Sequence, residues 1–131
     1  MNSDSALELD RPALPLILQT IAMPADTNPS GDIFGGWLLS QMDLAGAVVA
    51  RTRAHGRVAT IAIEAMKFHR PVLVGDLVAS HGEVARIGRT SIGVKVEIWV
   101  HRDEPPTPPH KVTEGLFTYV AIGDDRQPRP L

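Results

Sequence analysis

The stretch from Asn28 to Ala50 constrains the fold more than any other part of the chain. It reads Asn28-Pro29-Ser30-Gly31-Asp32-Ile33-Phe34-Gly35-Gly36-Trp37-Leu38-Leu39-Ser40-Gln41-Met42-Asp43-Leu44-Ala45-Gly46-Ala47-Val48-Val49-Ala50. A polar, glycine-rich loop passes into an almost wholly apolar helix, expected from about Gly36 to Ala54. A helix that is apolar nearly all round demands cover on every side. Asp43 sits two turns into it, and an ionised carboxylate in such surroundings is costly unless something there uses it. Such an acid is a functional candidate; the alternative is a structural acid held by an arginine or by backbone donors.

The rest of the chain supplies the cover. Leu14 to Met23 reads as a first strand stopped by Pro24, and Ala25 to Gly36 as a loop. The helix is expected to stop near Gly56 in the left-handed conformation, with Arg51, Arg53 and His55 in its last turn. Four extended segments follow: Val58 to His69, Asp76 to Ile87, Ser91 to Arg102 and Val112 to Ile122. Ile87 to Ser91 is short enough for a hairpin connection, and Asp103 to Pro109, with four prolines in seven residues, is expected to be a loop. A helix of about 18 residues is roughly 27 Å long, comparable to a strand of about eight. The economical solution is an α+β fold, one antiparallel sheet of about five to six strands wrapped around one long central helix. A chain of 131 residues holds one such domain. It is expected over residues 14–122, behind an irregular arm (1–13) and ahead of a short, frayed tail (123–131).

Composition removes several function classes. A formal net charge of -2 gives no basic field for nucleic acid or a membrane surface. The absence of cysteine excludes disulfides, thiolate metal sites and cysteine nucleophiles. The longest apolar run, Leu44 to Ala50, is too short to span a bilayer, and the first residues lack a secretory pattern, so a cytoplasmic protein is expected. His55, His69, His81, His101 and His110 form no recognisable ligand set, so neither a metal nor a cofactor is expected. Gly88 to Gly93 is not a phosphate loop of the P-loop type, and Ser40 lacks a nucleophile elbow. Trp99, Phe117 and Tyr119 are expected on the face opposite the most aliphatic rows, which leaves apolar groups on both faces and points to a homo-oligomer.

The loop and helix together suggest chemistry. Gly36 and Asp43, seven residues apart, fall on nearly the same helix face, about 10 Å apart along the axis. Gly35-Gly36 offers no side-chain cap, so the N–H donors of the first turn stay available to a developing oxyanion. Asp43 supplies a nucleophile or a base for water. Ten ångströms is long for one carbonyl, so a neighbouring chain or looser helix geometry has to bridge it. On the other reading, the two glycines serve loop packing, Asp32 is the N-cap and Asn28 is a turn residue.

Ala22-Met23-Pro24-Ala25-Asp26-Thr27-Asn28 followed by Gly31 to Asp43 closely resembles the hotdog-fold acyl-CoA thioesterases of the YciA-like group. His55-Gly56-Arg57-Val58, Phe68 to Asp76, Gly88-Arg89-Thr90-Ser91-Ile92 and Glu97-Ile98-Trp99-Val100 extend the likeness over about residues 16–122. The resemblance implies hydrolysis of acyl-CoA to free acid and CoA without a cofactor. It implies a homodimer with active sites at the subunit interface, assembled further as a trimer of dimers. It maps the catalytic carboxylate onto Asp43, a polar amide onto Asn28 and the backbone oxyanion donor onto Gly36 or its neighbour. For the nucleotide half of CoA, the candidates are Arg57, Lys67, Arg86 and Arg89, with Thr90 and Ser91 offering hydroxyls and backbone donors. The chain departs from the group in its short tail and its proline-rich segment at 104–109. A hotdog dehydratase would need a histidine in the loop before the helix, and there is none from Ala25 to Gly36. A non-catalytic acyl-CoA sensor would need a partner domain, and a purely structural oligomer leaves Asp43 without a purpose.

Overall fold

The computed structural model describes residues 12–131, and the expected N-terminal arm lies almost wholly outside them. Five strands and one long helix follow in the order β1 (Leu16–Ile21), α1 (Gly35–Ala54), β2 (Val58–Phe68), β3 (Leu77–Ile87), β4 (Ser91–Asp103) and β5 (Pro106–Ala121). A three-residue 3-10 turn, Pro24–Asp26, precedes the loop into α1. The strands form one antiparallel sheet in the order β1-β3-β4-β5-β2, so β1 and β2 are its edges. This is the expected architecture.

Alternation decides which side faces the helix. Ile92, Val94, Val96, Ile98 and Val100 of β4 are buried with Leu38, Met42, Ala45, Ala50 and Ala54 of α1 in one core. Residues directly opposite in an antiparallel pair share a face. Ile92 pairs with Tyr119 and Val94 with Phe117, so both aromatics point toward the helix. That corrects the expectation that they lie on the outer face; of the three aromatics only Trp99 does, its Nε1 donating to Glu97 Oε1 at 3.0 Å. What stays uncovered is elsewhere. On α1, Leu44 is 56% exposed and Val48 45%, although this helix is apolar nearly all round.

Three local expectations also change. The left-handed residue ending α1 is His55 (φ 55°), not Gly56. Gly56 is small for another reason, since a Cβ there would meet Arg129 Nη2 at 2.9 Å. Arg129 caps the helix by donating to Ala54 O at 2.7 Å, and Leu131 N donates to Arg89 O, so the tail is docked rather than frayed. The proline-rich segment is mostly strand: Asp103 pairs with Pro106 and Arg102 with Thr107 across a tight hairpin. On the side of β2 the last bond to β5 is from His69 N to Val112 O at 2.7 Å, and Pro106, Pro108 and Pro109 lie beyond it, so they interrupt no ladder there.

Candidate active site

Asp43 is half-buried on α1, and the sheet beneath it supplies its partners. Thr60 Oγ1 on β2 donates to Asp43 Oδ1 at 2.8 Å, and the Tyr119 hydroxyl on β5 lies 3.0 Å from the same oxygen. Thr60 and Tyr119 are cross-strand partners, which is why both reach one carboxylate. The register slips between Thr60 and Ala62, and a bulge beside a site re-aims the strand's side chains. Among the described residues Asp43 enters no ion pair, and Oδ2 accepts no hydrogen bond. A carboxylate steadied on one oxygen by neutral hydroxyls, with the other oxygen unengaged, is suited to act as nucleophile or base.

Tyr119 is fully buried. Burial first, then the charge of Asp43 and the hydrogen bond to it, push its phenol far above the ordinary range, so it is a neutral donor. It fits beneath the helix because residue 46 is glycine: a Cβ there would stand 2.2 Å from the hydroxyl. Thr60, Tyr119 and Gly46 are not among the site residues expected from the sequence, where Tyr119 figured only as an outer-face aromatic. An Asp-x-x-Gly spacing on the helix and the only tyrosine of the chain were the available signals.

At the helix start, Phe34 occupies the N-cap position without a side-chain cap, and Asp32 does not cap it. Trp37 N and Leu38 N donate to Phe34 O, while the N–H groups of Gly35 and Gly36 find no acceptor among the described residues. Neither glycine answers to packing within the chain. A Cβ at Gly36 meets nothing within 4 Å, and one at Gly35 makes only ordinary contact with the Phe68 ring at 3.5 Å. Asn28 holds the loop: its Oδ1 accepts from Ser30 N at 2.9 Å and Asp32 N at 3.1 Å, around a Gly31 that needs its φ of 88°. A cavity of about 330 Å³ brings Asn28 and Gly35 together with Leu38 and Phe68, and Asp43 is not among its lining residues. One chain therefore assembles the donors in one place and the acid in another.

The six residues considered for the nucleotide fall into two groups. Arg57 and the turn Arg89-Thr90-Ser91 lie together at the C-terminal end of α1, tied through Ile122 N to Arg57 O and Ala121 N to Thr90 O. Lys67 and Arg86 lie on the sheet face away from the helix. Arg86 covers Gly93 and sits 3.6 Å from Glu64, and Lys67 borders a groove with Lys95 and Glu114. All but the half-buried Thr90 and Ser91 are exposed. No group of three or more potential metal ligands converges among the described residues, and no helix there is long and apolar enough to cross a membrane.

Comparison with known proteins adds a further finding. Residues 30–106 match the thioesterase superfamily. The acyl-CoA thioester hydrolase YciA of Salmonella typhimurium is 53% identical over 118 residues, covering 88% of this chain and 89% of the relative. A hexameric broad specificity acyl-coenzyme A thioesterase of known structure is 47% identical with a TM-score of 0.86, over 92% of this chain and 82% of the other. The hexameric thioesterase y2039 of Yersinia pestis is 46% identical with a TM-score of 0.87, over 92% and 98%.

Proposed function

This chain belongs to the hotdog thioesterase superfamily and, within it, to the YciA-like acyl-CoA thioester hydrolases, and on that premise we propose how its own residues perform the hydrolysis. Asp43 is the reacting carboxylate. It either attacks the thioester carbonyl to give an anhydride or takes a proton from the attacking water. The carbonyl oxygen rests on the N–H groups of Gly35 and Gly36, where the positive end of the helix dipole lies. Asn28 orients water or carbonyl through its amide nitrogen, its Oδ1 being engaged in the turn. The CoA thiolate is a good leaving group, so no strong general acid is called for.

The observation that carries this reading is the state of Asp43, held by two hydroxyls, free of any ion pair among the described residues and open at Oδ2. The bare glycine pair supports it, because nothing inside the chain asks for glycine there. Two chains complete the site, Asp43 of one facing Asn28 and Gly36 of its partner, since about 10 Å separates them along a single helix. Uncovered apolar surface supports this pairing. The edge strand β2 carries Ile61 (59% exposed) and Ile63 (40%), and α1 leaves Leu44 and Val48 uncovered; an exposed apolar edge strand invites a second chain. Such dimers assemble in threes, in keeping with the hexameric relatives. Arg57, Arg89, Thr90 and Ser91 hold phosphate groups of CoA, with Lys67 and Arg86 as further cations. A chain without cysteine is indifferent to the redox poise of its compartment, and the cytoplasm is its proposed location.

The test is thiol release measured over a series of acyl-CoA chain lengths. Wild type is expected to turn over. Asp43→Ala is expected to lose turnover while binding CoA nearly as before, and equal hydrolysis by that variant refutes the assignment.

A further inference from the structure

We infer that Tyr119 is a positioning residue for the reaction, seated in a socket that Gly46 leaves open, and that it turns Asp43 so that Oδ2 is the reacting oxygen. The inference rests on the reading of Asp43 as the reacting carboxylate.

The Tyr119 hydroxyl lies 3.0 Å from Asp43 Oδ1 and 2.9 Å from the main-chain oxygen of the same residue. It has one proton to give. A carboxylate is the stronger acceptor, so the proton goes to Oδ1 while Asp43 is charged and has the main-chain oxygen to turn to otherwise. Thr60 donates to the same Oδ1 at 2.8 Å. Two donors on one oxygen fix the side-chain rotamer and leave the lone pairs of Oδ2 for substrate or water. A phenol that served packing alone would need neither its hydroxyl at this point nor a glycine opposite. Gly46, one turn on from Asp43, removes the Cβ that would stand 2.2 Å from that hydroxyl.

Few other charges bear on Asp43. In β2 to β5 the register puts Glu64, Lys67, His81, Glu83, Arg86, Lys95, Glu97, His101, Lys111 and Glu114 on the far face of the sheet, and β1 carries no titratable residue. Arg102 and His110 lie at the far end of β4 and β5, the former bound to Asp76. On α1 itself, Arg51 and Arg53 are two turns or more away.

The chain contains a single tyrosine, so biosynthetic replacement by 3-fluorotyrosine alters this phenol alone. Fluorine makes the phenol a stronger donor with almost no change of shape, whereas Tyr119→Phe deletes the donor and keeps the ring. In the assembled enzyme, Tyr119→Phe is expected to lower kcat about tenfold or more with KM changed less than about twofold. The acid limb of its kcat/KM profile moves to higher pH, because a carboxylate that loses a donor holds its proton more tightly. The fluorinated enzyme moves the same limb to lower pH. A packing role moves neither. If Tyr119→Phe does not fold, the fluorinated protein alone decides. The inference is overturned if kcat stays within about twofold in the folded phenylalanine variant, or if the acid limb of the fluorinated enzyme does not move. Asp43→Asn run alongside separates the two levels: if it remains active, the reading of Asp43 fails, and if it is dead while Tyr119 variants behave as wild type, only the present inference fails.

Discussion

At Gly46 a missing Cβ, a buried phenol and a half-buried carboxylate depend on one another. Gly46→Ala drives a methyl group into the Tyr119 hydroxyl, 2.2 Å away, and the ring cannot retreat because it is fully buried. Overpacking of this kind costs about 1–3 kcal/mol. Denaturant unfolding is expected to show a loss in that range, and adding Tyr119→Phe to Gly46→Ala is expected to recover part of it. Strict additivity of the two changes would mean that the residues do not meet. Asn28 shows the opposite economy. Its side-chain oxygen is spent on the loop turn, which sequence reasoning offered as the ordinary use of an asparagine there, and its amide nitrogen is left for other work.

Elements are locked together at their ends as well as through the core. Asp76, just before β3, is only 1% exposed and accepts from Arg102 of β4 through Nε at 2.7 Å and Nη2 at 2.8 Å. Burial works against the charge of Asp76. The Arg102 hydrogen bonds, the Leu73 amide and the positive charges of Arg102 and His110 outweigh it and hold the carboxyl below its ordinary range. Stability from a carboxyl lowered in the folded state is fully present above the unfolded value of about 4 and is lost as the pH falls through the folded one. Asp76→Asn is expected to lose about 3 kcal/mol at neutral pH, the low end for a broken buried pair, because the Arg102 side chain keeps 18% of its surface. The gap between variant and wild type narrows below about pH 4, and chemical unfolding across that window checks it. At the other end of the fold, the tail closes α1 through Arg129 and braces the Arg89 turn through Leu131.

For the molecule as a whole, the decisive point is that one chain holds Asp43 apart from the free N–H groups of Gly35 and Gly36. If each site takes Asp43 from one chain and Asn28 from its partner, two inactive variants complement each other. Asn28→Ala and Asp43→Ala are each expected to be inactive alone. Co-expressed, half of the dimers are mixed and hold one intact site of two, giving about a quarter of wild-type thioesterase activity. A co-expressed pool as inactive as its parents would place the whole site within a single chain.

Much of this is legible in the sequence alone. The period of the apolar residues, the turn signals and the run of four strands after one greasy helix determine the hotdog architecture, because side-chain alternation and burial are local properties of the chain. Asp43 and the Gly35-Gly36 helix start stood out for the same reason, each breaking a local rule. The aromatic face did not. Phe117 and Tyr119 go to the helix because of their pairing with Val94 and Ile92, and register is a relation between strands that neither strand carries alone. The proline-rich segment likewise becomes strand only because it lies beyond the end of β2. Most of all, the meeting of Thr60, Tyr119 and Asp43 joins residues 17 and 76 positions apart in the chain. Only the packing of a helix across a closed register brings such distant hydroxyls onto one carboxylate oxygen.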